Sequence, residues 1–371
     1  MTFFYAVAVI PLLVSLALLR KNEFVVWWEY LISTAIAFLI AGIFHWGALR
    51  SSTGDYETWS GEITNATFHP YWKERYTEEE SYTEGSGKKA VTKTRTVTKY
   101  RDHSEYWDAN TTLFRDREIT EDLFNTIRHK FKSYERESGH RSGLVRGDPN
   151  VYVAYNKTGY CFPVTQWVHF ENRIKAVPTL FQFAKVPKDI PVLSYPQNKD
   201  WLASDRVAGT ARKTVTPYAL DCLNARLGAS KKVNLILVGF EGQDSEIGQW
   251  QQSAWVGGKK NDLVLCYDTS ETPAKWAFCF GWSEQDVVKR SLETIASTDG
   301  VSDATLPEIE QEIIQDYQIE KWKKFNYINI PPPTWAMVWF PIATLITQAA
   351  FWYFAITQNM AGVRSRSSRS W

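Results

Sequence analysis

Residues 232–240 read KVNLILVGF, a stretch dominated by apolar side chains. A short apolar stretch of this kind is typical of a strand buried on both faces of a parallel sheet. Helices are expected on either side of it, over residues 214–227 and 245–255. Further strands are expected over residues 263–267 and 275–282, and a helix follows them. This α-β-α-β-β-α order predicts an α/β unit whose first two strands are parallel.

A further helix is expected to close this unit. Thr305 and Glu308 have the spacing of helix-capping residues, and the predicted helix extends to about Phe325. Acidic side chains lie near its start and lysines near its end, the order that the helix dipole favours. Residues 214–330 are therefore interpreted as an α/β subdomain with a closing helix.

The part of the chain before this unit is expected to begin with strands. Residues 51–115 contain alternating stretches such as 56–64, which predict a β-rich segment. Residues 116–213 are interpreted as a mixed region of helix and aromatic loops.

A long polar hairpin, here called the ribbon, is expected within the β-rich segment. Residues 74–84 (ERYTEEESYTE) are acidic, residues 88–101 (KKAVTKTRTVTKYR) are basic, and Gly85-Ser86-Gly87 predicts a turn between them. Folding at this turn predicts that Glu84 faces Lys88. A partner-binding arm and a solvated hairpin or loop are both open interpretations.

Apolar residues are concentrated at the two ends of the chain, over residues 3–19, 24–49 and 335–356. Each stretch is close to the length needed to cross a bilayer, and tryptophans lie near the ends of the second and third. Four residues separate the first two stretches, so residues 1–50 are expected to form a transmembrane hairpin. The third span is expected over residues 331–357.

Basic residues predict how these spans are oriented. Arg20 and Lys21 lie in the short loop of the hairpin, and the tail 358–371 has three arginines and no acidic residue. By the positive-inside rule the loop and the tail are cytoplasmic, whereas the N-terminus and residues 51–332 are extracytoplasmic. A cleaved signal peptide is disfavoured because Met1-Thr2 carries no basic side chain and no small-residue cleavage site precedes the second span.

All four cysteines lie between the spans, and an even number in an extracytoplasmic domain predicts two disulfides. Three pairings are open. The candidates are Cys161, Cys222, Cys266 and Cys279. No Cys-x-x-Cys spacing occurs and the six histidines are scattered, which disfavours a structural zinc site.

The charge balance limits the classes of partner. The whole chain has a formal net charge of +1, and residues 51–332 carry 36 basic and 39 acidic side chains. Such a domain has no field that would attract nucleic acid. The expected partners are the lipid bilayer and an envelope or membrane protein, and homo-oligomerisation is left open.

Residues 255–262 (WVGGKKND) contain the candidate binding site. Its members are Gly257, Gly258, Lys259, Lys260, Asn261 and Asp262. Glycine N–H groups and lysine ammonium groups are able to hold an anion. Alternatively, the glycines end the preceding helix and the lysines are solvated. Asp262 supplies one ligand for a divalent cation, which would need more oxygens from elsewhere. No catalytic residue and no required cofactor are assigned, because hydrolase and metalloprotease motifs are absent from the sequence.

The paired N-terminal spans and three short motifs resemble a group of bacteriophage-encoded membrane proteins of unknown function. These motifs are residues 102–107 (DHSEYW), 169–176 (HFENRIKA) and 255–262 (WVGGKKND). The likeness covers most of residues 55–297, and it implies a protein of the host's inner membrane.

Residues 214–297 are also remotely similar to the TPM domain of membrane-anchored proteins. In that domain a strand, a helix and an acidic loop lead into a hydrophobic strand, and the matching stretch here is 261–265 (NDLVL). The glycine that usually follows the Asp-Asn pair of the family is missing. Some TPM proteins are phosphatases or metal binders, so the resemblance implies a metal or catalytic role for Asp262.

Together these patterns predict an extracytoplasmic domain of the α+β / α/β class, β-rich at its start and anchored by three transmembrane helices. The first hypothesis is a non-enzymatic protein that binds an envelope component and thereby modifies the host envelope or later infection. The alternatives are a TPM-like metal-dependent phosphatase and a virion or assembly component.

Overall fold

The computed structural model describes residues 3–6, 8, 9, 13, 27–84, 91–138, 150–181, 183–197, 201 and 205–367. Within them an α+β domain with two main sheets lies between two long helices. The helices are α1 (Trp27–Thr53), α2 (Glu121–Phe131), α3 (Arg173–Ala176), α4 (Pro217–Lys231), α5 (Glu246–Ala254), α6 (Val287–Thr298), α7 (Leu306–Asp316) and α8 (Thr334–Ser367).

The strands are β1 (Gly54–His69), β2 (Trp72–Glu84), β3 (Val91–His103), β4 (Tyr106–Thr111), β5 (Arg117–Ile119), β6 (Glu135–Glu137), β7 (Val151–Tyr155), β8 (Pro163–Glu171), β9 (Val207–Gly209), β10 (Asn234–Phe240), β11 (Asp262–Asp268) and β12 (Ala277–Gly281).

The first sheet is built around β1, which confirms that this part of the chain is β-rich. The first half of β1 pairs with β8, and its second half pairs with β4 and β7, all antiparallel. Helix α2 covers the sheet with Phe124, Ile127 and Phe131, which are buried against Ile63 of β1. Strand β7 forms where residues 151–155 (VYVAY) predict a strand, whereas β6 and β8 come from residues expected to be mixed helix and aromatic loop, so this sheet is larger than the pattern predicted.

The second sheet has the predicted α-β-α-β-β-α order, and β10 and β11 are parallel as expected. The short strand β9 adds a third parallel member, and β12 is an antiparallel edge. Alternate residues of β10 face opposite sides, since Leu235 packs with α4, α6 and α7 whereas Ile236 packs with α5. Burial on both faces explains why the strand is apolar after its first residue, Asn234.

The two sheets meet where α4 lies against β1. A Cβ atom at Gly228 would come within 1.9 Å of the Ser60 carbonyl oxygen, so only glycine permits this contact. The meeting of β1 with α4 places the second sheet beside residues 55–60.

The closing helix is shorter than predicted. Helix α7 ends at Asp316, and a separate 3-10 helix forms over Trp322–Tyr327. Between them the chain is extended at Tyr317 and pairs with the segment after β12, where the Glu320 N–H donates to the Trp282 carbonyl at 3.1 Å. Burial of the Tyr317 side chain and this pairing replace further helical turns.

The ribbon forms from β2 and β3, but its register differs from the prediction. Glu84 lies opposite Val91 rather than Lys88, and the turn expected at 85–87 lies outside the described residues. The observed register sets acidic and aromatic side chains of β2 against basic side chains of β3 along one face. Attraction between these cross-strand pairs favours it.

One disulfide is present among the described residues, and the prediction of two is wrong. Cys161 is bonded to Cys222 across the two sheets' contact, whereas Cys266 and Cys279 are free and buried. Cys279 lies opposite Leu265, the neighbour of Cys266, so the two thiols lie on opposite faces of the sheet. Neighbouring residues of a strand point to opposite faces, which prevents this pair from bonding.

Two described helical segments are long and apolar enough to cross a membrane, Trp28–Thr53 and Thr334–Gln358. They pack together, and Ser33 and Gln348 exchange side-chain and backbone hydrogen bonds at 2.5 and 3.0 Å. The first predicted span, residues 3–19, falls mostly outside the described residues. Its described part is helical and sets Phe4 5.2 Å from Phe340, measured between ring centroids.

Candidate binding site at the seam

The loop 257–262 connects α5 to β11 and lies against residues 55–60 of β1. We call this contact the seam. Gly257 and Gly258 have φ values of +77° and +83°, a region that L side chains rarely adopt. A Cβ at Gly257 would also come within 2.9 Å of the rings of Phe183 and Trp282. The two glycines are therefore required by the turn and by its packing.

The backbone donors of this turn are used within it. The Gly257 N–H donates to the Gln252 carbonyl, and the Gly258 N–H donates to the Trp255 carbonyl, both at 2.9 Å. The Lys259 N–H donates to Asp262 Oδ2 at 2.7 Å. This is the pattern of a turn that ends a helix, and it leaves none of these three N–H groups directed at an external anion.

The Asp262 carboxylate is fully buried and accepts from two further donors. The Tyr195 hydroxyl donates to Oδ2 at 2.6 Å, and Asn234 Nδ2 donates to Oδ1 at 2.8 Å. Asn234 and Asp262 face each other in register at the starts of β10 and β11. A buried carboxylate with three donors is a satisfied group, as burial of a charge requires.

Arg206, which immediately precedes β9, extends this network to the first sheet. Its guanidinium donates to Asn234 at 2.7 Å, to Asp221 at 2.8 Å and to the Ser60 hydroxyl at 2.6 Å. The side chain is nearly completely buried. The network thus joins three parallel strands, helix α4 and β1 by charge-assisted hydrogen bonds, which are stronger than neutral ones.

Burial dominates the electrostatics of this network. It raises the pKa of Asp262, while the hydrogen bonds from Asn234, Tyr195 and the Lys259 backbone act in the opposite direction. Burial, and then the charge of Asp262, raise the pKa of Tyr195 well above its ordinary value. Burial lowers the pKa of Arg206, and Asp221 opposes that shift. Each shift comes from removing an ionisable group from water.

The two lysines of the loop contact acidic side chains of β1. Lys259 Nζ lies 3.5 Å from Asp55, and Lys260 Nζ lies 3.2 Å from the buried Glu57. Asn261 is also buried, and its amide donates to the Thr58 carbonyl at 2.8 Å. The lysines therefore bind the two sheets together, although Lys259 keeps a quarter of its side chain exposed.

A cavity of about 290 Å³ opens beside the seam. Its lining residues are Tyr56, Thr58, Trp167, Tyr195, Pro196, Gln197 and Lys259. Tyr56 and Trp167 are each nearly half exposed, and their ring centroids are 6.0 Å apart on paired strands β1 and β8. Concave sites that combine aromatic side chains with a few polar groups are typical of ligand binding.

Charged and metal-binding groups are sparse at this cavity. Among the described residues, no group of three or more His, Cys, Asp or Glu side chains is placed to hold a metal ion. Lys259 is the cationic member of the lining, and its ammonium lies 4.9 Å from the Tyr195 ring centroid. The geometry offers ring stacking, a positive charge and the Gln197 amide to a ligand.

The structure thus brings the predicted loop residues together at a junction rather than in an open cradle. Sequence reasoning missed Tyr195, Asn234, Arg206 and Trp167. Asn234 gave a signal, because a polar residue at the start of a buried strand needs a partner. Tyr195 lies in a proline-rich connection, where no periodic pattern indicated its contact with Asp262.

The fold and the site define a class: a two-sheet α+β domain joined to helices that are able to cross a membrane, with a satisfied polar junction beside an aromatic cavity. No protein-family model, curated protein or solved structure matches the chain. The resemblances to phage membrane proteins and to the TPM domain therefore stay predictions.

Proposed function

We propose that this chain is a membrane-anchored, non-enzymatic protein that binds an envelope component through the seam cavity. The observation that carries the proposal is the pair of exposed rings, Tyr56 and Trp167, at a cavity that also contains Lys259. Tyr56 is three residues beyond the end of α1. The cavity is therefore held close to the membrane helix, where components of the envelope are within reach.

The state of Asp262 supports binding rather than hydrolysis. Its carboxylate is fully buried and accepts three hydrogen bonds, so a metal ion or phosphate ester would have to displace Tyr195, Asn234 or the Lys259 N–H. A TPM-like phosphatase that uses Asp262 predicts metal-dependent hydrolysis of a phosphomonoester by the full chain. We expect no turnover above that of Asp262→Ala.

An extracytoplasmic position of the domain is part of the proposal. It is supported by the Cys161–Cys222 disulfide, because structural disulfides persist in oxidising compartments. Labelling with an impermeant thiol reagent tests it. After reduction, Cys161 and Cys222 should react in intact spheroplasts, whereas a reaction that requires lysis would place the domain in the cytoplasm.

Site-specific photo-crosslinking tests the binding role. A photoreactive amino acid at position 167 of the full chain, in cells that produce it, should give a defined adduct. The same amino acid at Tyr100, an aromatic position on the ribbon that is more exposed than Trp167, should not give that adduct. Tyr56→Ala or Lys259→Glu should reduce the yield about tenfold or more, the scale of losing one anchor of an interface. Adducts that are identical at both positions, or unchanged by both substitutions, would contradict the proposal.

A further inference from the structure

Two segments, which we call the base, lie side by side next to the end of α1. They are residues 172–181 and 322–330. The Asn172 N–H donates to the Thr53 carbonyl at 2.6 Å, which joins the first segment to the last residue of the helix. Arg173 Nη1 donates to the carbonyls of Asn326 and Ile328 at 2.7 and 3.1 Å, which joins the two segments.

The base is continuous in its packing with α1. Phe181 and Phe325 lie 5.7 Å apart between ring centroids, and both belong to a cluster that includes Ile330 and Leu49 of α1. The base is therefore fixed relative to the helix, since its apolar side chains share one core with it.

Chain length limits how far the base lies from the bilayer. Three residues separate Ile330 from Thr334, the first residue of α8, so the two Cα atoms are at most about 14 Å apart. The other segment of the base is held to the last residue of α1 by the hydrogen bond from the Asn172 N–H to the Thr53 carbonyl. The headgroup layer is about 5–7 Å thick on each side of the hydrocarbon core. The base is thus at or near the level of the lipid headgroups.

The exposed side chains of the base match that environment. Leu180 is 58% exposed and Tyr327 is 75% exposed, although each is next to a member of the base's apolar cluster, Phe181 or Ile328. Lys321, Lys323 and Lys324 next to them are exposed, and Lys321 and Lys324 also contact Glu284 and Glu320 at 3.4 and 2.6 Å. Exposed apolar and aromatic groups beside lysines are the combination enriched where proteins contact the bilayer surface.

From this placement we infer that the base rests on the bilayer, with Leu180 and Tyr327 inserted among the headgroups and Lys321, Lys323 and Lys324 at the level of the lipid phosphates. The inference rests on the proposed membrane anchoring. The occupant of this surface is the lipid of the same bilayer that α1 and α8 cross. Its consequence is a domain held in one orientation rather than swinging on its two connections.

Depth-dependent fluorescence quenching tests this inference. The full chain is reconstituted into phosphatidylcholine–phosphatidylserine vesicles with an environment-sensitive fluorophore on Leu180→Cys or Tyr327→Cys. Matched controls carry it on Tyr100→Cys or Tyr218→Cys, which replace similarly exposed aromatic side chains away from the base. The unsubstituted chain is the labelling blank, because Cys266 and Cys279 are buried and burial raises the pKa of both thiols.

At positions 180 and 327 we expect blue-shifted emission and strong quenching by lipids that carry a nitroxide near the headgroup. Positions 100 and 218 should show neither. Equal quenching at all four positions would overturn the inference. A blue shift without lipid quenching would also overturn it, because a protein would then cover the base. Carbonate extraction separates this result from failed anchoring: a chain that washes off the vesicles refutes the anchoring itself.

Discussion

The ribbon and the seam have similar side chains in opposite surroundings. Both pair lysines with acidic residues of another segment. In the ribbon, Lys99 contacts Glu78 and Glu80 at 2.9 and 2.8 Å, and all three side chains are more than a third exposed. In the seam, Lys260 contacts Glu57, which is 2% exposed. A run of charged residues in a sequence therefore does not reveal whether the charges stabilise the fold or only keep the protein soluble.

The difference is one of solvation. Exposed ion pairs are screened by water and salt, so most contribute little to the free energy of unfolding. Buried charges lose their hydration, and removing one partner leaves the other without compensation. The comparison predicts that removing a buried charge at the seam destabilises the domain, whereas removing an exposed charge in the ribbon leaves its stability unchanged.

The largest effect is expected for Asp262→Ala. It removes the acceptor of the Tyr195 hydroxyl, the Asn234 amide and the Lys259 N–H, and we expect a loss of about 3–5 kcal/mol in the free energy of unfolding. Denaturant unfolding of the full chain in detergent measures it. Asp205→Ala is the matched control, since Asp205 contacts Arg212 at a half-exposed position. Equal losses in the two variants would remove the distinction between buried and exposed pairs.

The Cys161–Cys222 disulfide is expected to have the next largest effect. Cys161 and Cys222 are separated by 61 residues, and a bridge that closes so long a loop contributes about 2–4 kcal/mol. The double variant Cys161→Ala, Cys222→Ala should lose this stability. A reductant should cause the same loss in the unsubstituted chain and no further loss in the double variant. A reductant that destabilises both proteins equally would contradict the assignment.

A smaller effect concerns pH. Because the pKa of Asp262 is raised in the folded domain, the folded state binds the proton more tightly than the unfolded state does. The stability of the unsubstituted chain relative to Asp262→Asn should therefore be highest below about pH 4 and fall as the pH rises through the raised pKa. Unfolding both proteins across a pH series measures this difference. A rise with pH instead would mean that the hydrogen bonds outweigh burial.

The smallest effect is expected in the ribbon. Lys99→Ala removes two solvent-exposed ion pairs, and we expect no resolvable change in the unfolding midpoint at any salt concentration. Lys260→Ala is the buried-partner counterpart and should lower the midpoint, because Glu57 then loses its cation. A ribbon variant that unfolds as readily as the seam variant would show that the ribbon packs against something in solution.

The sequence was most informative where burial is continuous. The apolar stretch at 232–240 predicted a buried strand, and the alternation of Leu235 and Ile236 between two cores explains why the prediction succeeded. Apolar patterns within short stretches predicted β10 and β11, and the helix predicted between them indicated that the two strands are parallel. It gave no indication of β9, which has three residues and is held by pairing with β10.

Contacts between segments that are distant in the sequence could not be predicted from it. Arg206 bonds to Ser60 across 146 positions, and nothing in either neighbourhood predicts the other. The pairing of the cysteines depends on which face of a strand Cys266 and Cys279 occupy, and this requires the strand register. The register of the ribbon likewise depends on the sum of many cross-strand pairs. The prediction relied on a single pair, Glu84 with Lys88, at the end next to the turn, and that pair does not form.

The hydrogen bonds between Ser33 and Gln348 also limit when α1 and α8 can pair during synthesis of the chain. The two residues are 315 positions apart, so at roughly 5–20 residues per second the ribosome makes the second about 15 to 60 s after the first. Helix α1 therefore emerges long before its partner exists, and the whole domain between them is synthesised in the interval. The two helices can therefore pair only after the whole domain between them has been synthesised, and a chain truncated before Gln348 would lack these hydrogen bonds.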